Sequence, residues 1–288
     1  MVLNGKSVGT WSITVDRTVQ KDANKFKGKV FHSAHFKSAK EFAGKRAVVI
    51  GACNSAHDIA QDFCRHGADV TMYQRSSTFV ISTKAIELLL QGVYHEGCIL
   101  EYADHVNASF PYSVNKLINQ RVAPAFAESL DKETLEKLNK VGFKTNLGPD
   151  NAGMFPLVYI KAGGYYINTG GSTDIIEGRI KVKNGSSISR FTESGLAFED
   201  GTNLDADVIV LATGYGDPKD SITPVVGEEV SSKLKPIWNL DGEGELNSVY
   251  KESGHPGLWV AIGNLAMARY YGRALALPTL DGGPPPNF

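Results

Sequence analysis

Between residues 45 and 73 the chain reads as strand, glycine turn, helix and strand, and this restricts its fold more than any other stretch. Lys45-Arg46-Ala47-Val48-Val49-Ile50 is a short apolar run that stops at a glycine, the pattern of a strand buried on both faces of a parallel sheet. From Ser55 to His66, the residues Ala56, Ile59, Ala60, Phe63 and Cys64 recur on one helical face. Asp58 stands near the start of that helix and Gly67 is placed to end it. Ala68 to Tyr73 reads as a second strand. Residues 46–73 therefore predict one β-α-β unit.

The turn Gly51-Ala52-Cys53-Asn54-Ser55-Ala56 fills the G-x-G-x-x-G frame in part. Gly51 permits the tight bend, and Ala56 is small enough for close helix packing. Cys53 at the second glycine position narrows the room for a pyrophosphate. Backbone N–H groups and the helix dipole at this point suit a phosphate, although the same residues also suit an ordinary strand-to-helix turn. Gly51→Val is expected to abolish nucleotide binding, and Cys53→Gly to leave it unchanged or improve it. After the second strand comes Tyr73-Gln74-Arg75-Ser76. An NAD site calls for an acid here, to hold the ribose 2′-hydroxyl. A guanidinium and a hydroxyl suit a 2′-phosphate, so Arg75 and Ser76 favour NADPH, the alternative being a solvated surface arginine.

Composition narrows the partners. Lys and Arg number 30 against 31 Asp and Glu, a net charge of −1, so no overall field draws the chain to nucleic acid. No run of 18 apolar residues suggests a transmembrane helix. Three cysteines, Cys53, Cys64 and Cys98, form no C-x-x-C pair and fit a reducing, intracellular and cytoplasmic setting.

Elsewhere the patterns are coarser. Trp11-Ser12-Ile13-Thr14-Val15 alternates like a half-buried strand, and residues 84–140 read as mostly helical. Ile180-Lys181-Val182-Lys183, an Asn184-Gly185 turn, Ile188–Thr192 and Leu196-Ala197-Phe198 read as a β-meander. Asp207–Leu211 is a further buried strand, closing in Ala212-Thr213-Gly214-Tyr215. Leu258–Gly263 reads as a strand and Leu265–Leu277 as a helix that Pro278 interrupts. A disordered tail is expected over 278–288.

Two motifs flank the β-α-β unit. Phe26-Lys27-Gly28-Lys29-Val30-Phe31-His32-Ser33-Ala34-His35-Phe36 fits F-x-G-x-x-x-H-x-x-x-[FY], and Ala212-Thr213-Gly214-Tyr215 ends a later strand. On the residues alone, Phe26 and Phe36 are packing anchors and Gly28 is a turn. His32 and His35 lack a third ligand at a recognisable spacing, so no metal site is expected. With the glycine turn between them, these motifs resemble the flavin-containing monooxygenases, over roughly residues 24–277. The resemblance implies an α/β flavoprotein with two dinucleotide-binding domains and a β-meander in a three-layer arrangement. It implies residual FAD-domain segments at 1–39 and 204–277, with an NADPH-binding domain at 40–203 between them.

The resemblance also implies FAD and NADPH as cofactors, and a small-molecule substrate oxygenated on nitrogen or sulfur through a flavin hydroperoxide. The cofactor carries the hard chemistry in such enzymes, so binding residues are the candidates: Gly51, Ala52, Cys53, Asn54, Ser55, Ala56, Arg75, Ser76, Ala212, Thr213, Gly214, Tyr215, Gly263 and Asn264. The Phe26, Gly28, His32 and Phe36 motif is placed near the cofactor cleft. Baeyer–Villiger monooxygenases are the nearest rival, but their motif ends in Trp followed by Pro or Asp, whereas Phe36-Lys37 stands here. A second rival is an inactive fragment that retains at most NADPH binding. No FAD fingerprint stands before Trp11, so the chain is expected to purify without stoichiometric flavin. It is also expected to aggregate through apolar edges at Asp207–Leu211 and Leu258–Ile262.

Overall fold

A computed structural model describes residues 22–281, with a short antiparallel pair, Val2–Leu3 and Lys6–Ser7, ahead of them. The strand expected at Trp11–Val15 and the last seven residues of the expected tail lie outside the described residues.

The β-α-β unit forms as its sequence dictates. Arg46–Ile50 and Asp69–Tyr73 are parallel neighbours joined by the helix Asn54–Arg65. Cys53 is the N-cap of that helix and His66 the C-cap, with Gly67 at φ +76° directly after it. These two strands belong to a five-stranded parallel sheet. Its spatial order is Lys29–His32, Val208–Leu211, Arg46–Ile50, Asp69–Tyr73 and Ile180–Lys183.

Alternate residues of the central strands feed two separate cores. Ala47, Val49, Val208 and Val210 face the helix side with Phe63, Phe143 and Tyr166. Val48, Ile50, Ile209 and Leu211 face the other side with Phe26, Phe191 and Phe198. The second side is covered by an antiparallel meander of Ile188–Thr192, Gly195–Phe198 and Asn203–Asp205. Helices, parallel sheet and meander are the three layers.

Four expectations need correction. Ile180–Lys183 pairs with Asp69–Tyr73 in the parallel sheet and is not part of the meander. Val208–Leu211 is no edge: it lies between two strands, and its residues are at most 7% exposed. The sheet edges are Lys29–His32 and Ile180–Lys183, which carry Lys29, Lys181 and Lys183, the charges that discourage edge-to-edge pairing. Leu258–Gly263 forms single bridges only, Trp259 to Glu252 and Val260 to Val249. Ser248 at φ +47° and Tyr250 at φ +56° flank Val249 in the left-handed region, so no ladder propagates there. Finally, the last helix runs Leu265–Asp281 through Pro278, which removes one backbone donor near its end.

A second parallel sheet of Thr145–Asn146, Thr78–Ser82 and Tyr165–Asn168 is not among the sequence expectations. Residues 84–140 are helical as expected, in four helices: Thr83–Gln91, Leu100–Ala108, Tyr112–Ser129 and Lys132–Lys140. The final helix docks on the second of these. Arg269 donates Nε and Nη2 to the Asp104 carboxylate at 2.9 and 2.7 Å, and Tyr94 donates its hydroxyl to the same group at 2.9 Å. Residues 234–260 and this helix share a separate apolar core with Tyr112 and Tyr159.

Gly51 is fixed by this topology. Its φ is +136°, and a Cβ there would lie 2.3 Å from the carbonyl oxygen of Ala212, the residue just past the neighbouring strand Val208–Leu211. Gly214 has φ +81° with nothing near its missing Cβ. Gly51→Ala is therefore expected to destabilise the fold by about 3 kcal/mol or more, and Gly214→Ala by about 1 kcal/mol. Urea unfolding of the two variants checks this, and equal losses would contradict it.

Candidate functional site

The glycine turn closes against its neighbours through named bonds. Gly51 N–H donates to Tyr73 O at 3.0 Å, which fixes the turn to the end of the adjacent strand. Ala52 and Ala56 are buried, at 7% and 0% exposure, and let the helix Asn54–Arg65 settle on the sheet. Ser55 is exposed on the first turn. Cys53 gives no side-chain cap to that turn. Instead its Sγ accepts from Gly164 N–H at 3.1 Å, and Asn54 Oδ1 accepts from Ile167 N–H at 2.9 Å. Both side chains thus hold the second sheet, and the first N–H groups of a twelve-residue helix keep no side-chain cap from Cys53.

Cys53 therefore has a structural contact besides its place at the second glycine position of the turn. Cys53→Gly is expected to weaken the fold by about 1 kcal/mol, through the lost bond to Gly164 and added chain freedom. Differential unfolding of the variant decides; an unchanged midpoint would mean the Sγ contact contributes nothing.

At the C-terminal ends of Asp69–Tyr73 and Ile180–Lys183 lies a cleft of about 470 Å³. Arg75 and Ser76 line it, as do Gln74, Lys144, Asn184 and Glu199. Asp200 also lines it, with its charge matched by Lys183 Nζ at 3.0 Å; the Thr202 hydroxyl and N–H, with Lys183, hold its carboxyl down to about 2. Tyr73 forms one wall, its hydroxyl donating to Ser186 O at 3.0 Å, and burial pushes its pKa up. Through Tyr73 O, the cleft and the glycine turn share a wall. Lys144 comes from a segment far along the chain and carries no sequence signal of its own.

The two flanking motifs meet. Ala34 N–H donates to His32 Nδ1 at 3.2 Å, so the proton sits on Nε2, which donates to Gly214 O at 2.9 Å. The His32 ring lies edge-on to Tyr215 at 5.4 Å. Burial lowers the His32 pKa, favouring this neutral form. Both ring nitrogens are thereby committed to backbone. Phe26 packs on Phe191 in the meander core, and Phe36 on Phe31 and Phe63 in the helix core. Gly28 lies at the bend before Lys29–His32, and a Cβ there would lie 2.4 Å from Asp207 O and 2.5 Å from the Phe26 ring.

The fit of the two implied cofactors differs. For NADPH, the described residues supply a glycine turn, an uncapped helix start and a cleft with two cations. Beside the turn, the buried Thr213 hydroxyl has no hydrogen-bond partner among the described residues. For FAD, the expected positions give no comparable cradle. Gly263, at φ +125°, is backed by the Met267 side chain, and Asn264 Oδ1 accepts from Met267 N–H at 2.9 Å as a helix cap.

His57, missed in the sequence, sits wholly buried behind the turn. Its Nδ1 donates to Cys53 O at 3.0 Å, and its ring stacks on Tyr166 at 3.5 Å. Burial pushes its pKa down to about 4. A depressed histidine is neutral in the fold and charged in the unfolded chain between pH 6.5 and 4. Its contribution is therefore complete above pH 6.5 and lost as pH falls towards 4, by at most about 3 kcal/mol. Stability measured across that window should fall with a slope that His57→Phe reduces by about one proton; an unchanged slope would assign it to other groups.

A family model described as flavin-binding monooxygenase-like matches residues 13–89 and 99–231. Flavin-containing monooxygenase 5 of Cavia porcellus is 29% identical over 194 residues, covering 66% of this chain and 31% of the relative. Probable indole-3-pyruvate monooxygenase YUCCA10 of Arabidopsis thaliana is 29% identical over 190 residues, covering 66% of this chain and 43% of the relative. The chain thus spans well under half the length of these relatives. Among solved structures, an OTEMO complex with FAD and NADP superimposes with a TM-score of 0.58 at 14% identity, covering 98% of this chain and 63% of that one. Cyclohexanone monooxygenase from Rhodococcus sp. Phi1 bound to NADP+ gives 0.50 at 16% identity, covering 95% and 60%. At these identities the structures establish a shared fold.

Proposed function

The chain belongs to the flavin-binding monooxygenase-like family, and from that premise we propose that it is the NADPH-binding part of a flavin-dependent monooxygenase that oxygenates nitrogen or sulfur of a small molecule. One observation carries the cofactor reading. Arg75, Ser76 and Lys144 line a single cleft that shares the Tyr73 wall with the glycine turn.

In this reading the start of the helix Asn54–Arg65 takes the pyrophosphate on its backbone N–H groups. Thr213 offers its buried hydroxyl to the same dinucleotide. Arg75 and Lys144 take the 2′-phosphate, Arg75 through a planar guanidinium and Lys144 as a point charge. Ser76 adds a hydroxyl donor. Glu199 stands in the same cleft and, with no 2′-phosphate present, opposes these charges. His32 holds the Gly214 carbonyl and so fixes the path of the chain leaving the inserted strand. Reduced flavin, in the complete enzymes of this type, supplies the oxygen-activating chemistry. Gly263 and Asn264 serve the start of their own helix, and what the described residues supply is a site that binds and orients the reductant.

Arg75→Ala is expected to weaken NADPH binding by about 1–3 kcal/mol, the scale of a lost charge-assisted hydrogen bond, and to leave NADH binding nearly unchanged. Fluorescence titration with both nucleotides tests it. Equal losses for the two would remove the 2′-phosphate reading. A visible absorption spectrum with added FAD tests the flavin part, and one tightly bound FAD per chain would refute it.

A further inference from the structure

Gln74 follows the strand Asp69–Tyr73 and is 1% exposed. Its carboxamide pairs with the Lys144 peptide as a neighbouring strand would. Nε2 donates to Lys144 O at 2.8 Å, and Oε1 accepts from Lys144 N–H at 2.8 Å. Nε2 also donates to Thr78 Oγ1 at 3.2 Å, and Oε1 accepts from Asn184 Nδ2 at 3.4 Å. Asn184 Nδ2 donates onward to Gly142 O, and Gln74 N–H donates to Lys183 O at 2.9 Å.

Packing alone does not call for this side chain. A buried carboxamide is costly unless its groups are satisfied, and a thioether or aliphatic chain fills the same volume without that cost. Here two donor hydrogens and an acceptor oxygen are all engaged. The segments they engage supply lining of the cleft, Lys144 and Asn184 among it. Arg75 is the next residue in the chain. One side chain therefore ties the backbone of one cation to the residue adjoining the other.

We propose that Gln74 is a positioning residue for dinucleotide discrimination: it holds Lys144 in the cleft that Arg75 also lines, so that both cations meet one 2′-phosphate. This rests on the NADPH reading of the cleft given above. Removing the carboxamide takes the acceptor from the Lys144 N–H and one of two donors from the Lys144 carbonyl, which keeps Thr78 N–H at 3.0 Å, and so loosens the chain at Lys144 itself. The 2′-phosphate then loses one of its two charges, whereas a nucleotide with a free 2′-hydroxyl has little to lose.

The test is titration of NADP+ and NAD+ into the full chain and its variants, with folding checked by circular dichroism. Lys144→Gln, a surface change, is expected to reduce the preference for NADP+ about tenfold, or about 1.4 kcal/mol. Gln74→Met should reduce it by nearly as much, with NAD+ affinity held within about twofold, because the lost contact is specific to the phosphate. If Gln74 acts through Lys144, adding Gln74→Met to Lys144→Gln should change the preference little further. Gln74→Glu keeps the volume and the acceptor for Lys144 N–H but places a negative charge at the cleft. It should lower the preference at least as much, and it decides the matter if the methionine variant does not fold.

Equal losses for both nucleotides in Gln74→Met, or effects of the two substitutions that simply multiply, would overturn the proposal. So would an unchanged preference in Gln74→Glu. A wild-type chain without preference for NADP+ would remove the cofactor reading and this inference together. A wild-type preference that survives in the Gln74 variants would remove this inference alone.

Discussion

The parallel sheet closes only when Val208–Leu211 enters between Lys29–His32 and Arg46–Ile50. The inserted strand is buried on both faces, so its apolar residues cannot be satisfied anywhere else in the described fold. Its entry is pinned by charge. Arg46 donates to the Asp207 carboxylate through its backbone N–H at 2.8 Å and through Nη2 at 3.0 Å, while Nη1 reaches Asp205 at 2.9 Å. Asp207 returns its own N–H to Arg46 O at 2.8 Å. Its exit is fixed by shape, with Ala212 filling the space that a side chain on Gly51 would take. Joining residues this far apart carries a loop-closure cost that only the completed sheet repays. The glycine turn is thus a product of the insertion as much as of its own sequence.

What the sequence reveals follows from how far each signal travels. The β-α-β unit is legible because strand and helix each carry their own period within a few residues. Strand order is not. A central parallel strand reads the same whichever sheet receives it, so Val208–Leu211 looks as if it belongs to a second domain. Thr78-Phe79-Val80-Ile81 and Tyr165-Tyr166-Ile167 are apolar runs of strand length, and they are readable in retrospect. The failed strand at Leu258–Gly263 is a harder case. It is stopped by left-handed residues at Ser248 and Tyr250, and neither type signals that conformation as glycine would.

The same division holds at the site. Arg75 and Ser76 are legible because they directly follow the second strand of the β-α-β unit, and both line the cleft. Lys144 is illegible, because it reaches the cleft through a second sheet and one buried carboxamide. Gly263 and Asn264 match a motif position but serve the start of their own helix: Asn264 caps it, and Met267 packs on Gly263.

The Phe26 motif, whose chemistry cannot be derived from spacing, has a structural reading in the same insertion. Phe26 anchors the meander core against Phe191. Gly28 lets the chain pass within contact of Asp207, the residue that begins the inserted strand. His32 then reaches Gly214, just past that strand's end. Phe36 returns the chain to the helix core through Phe63. The spacing of F, G and H matches the length of a four-residue strand with one contact at each end, and the invested chemistry is a neutral imidazole with both nitrogens committed. A residue at position 32 with no donor where Nε2 stands would lose this tie between the motif and the chain just past the late strand. The motif therefore specifies where the late strand seats.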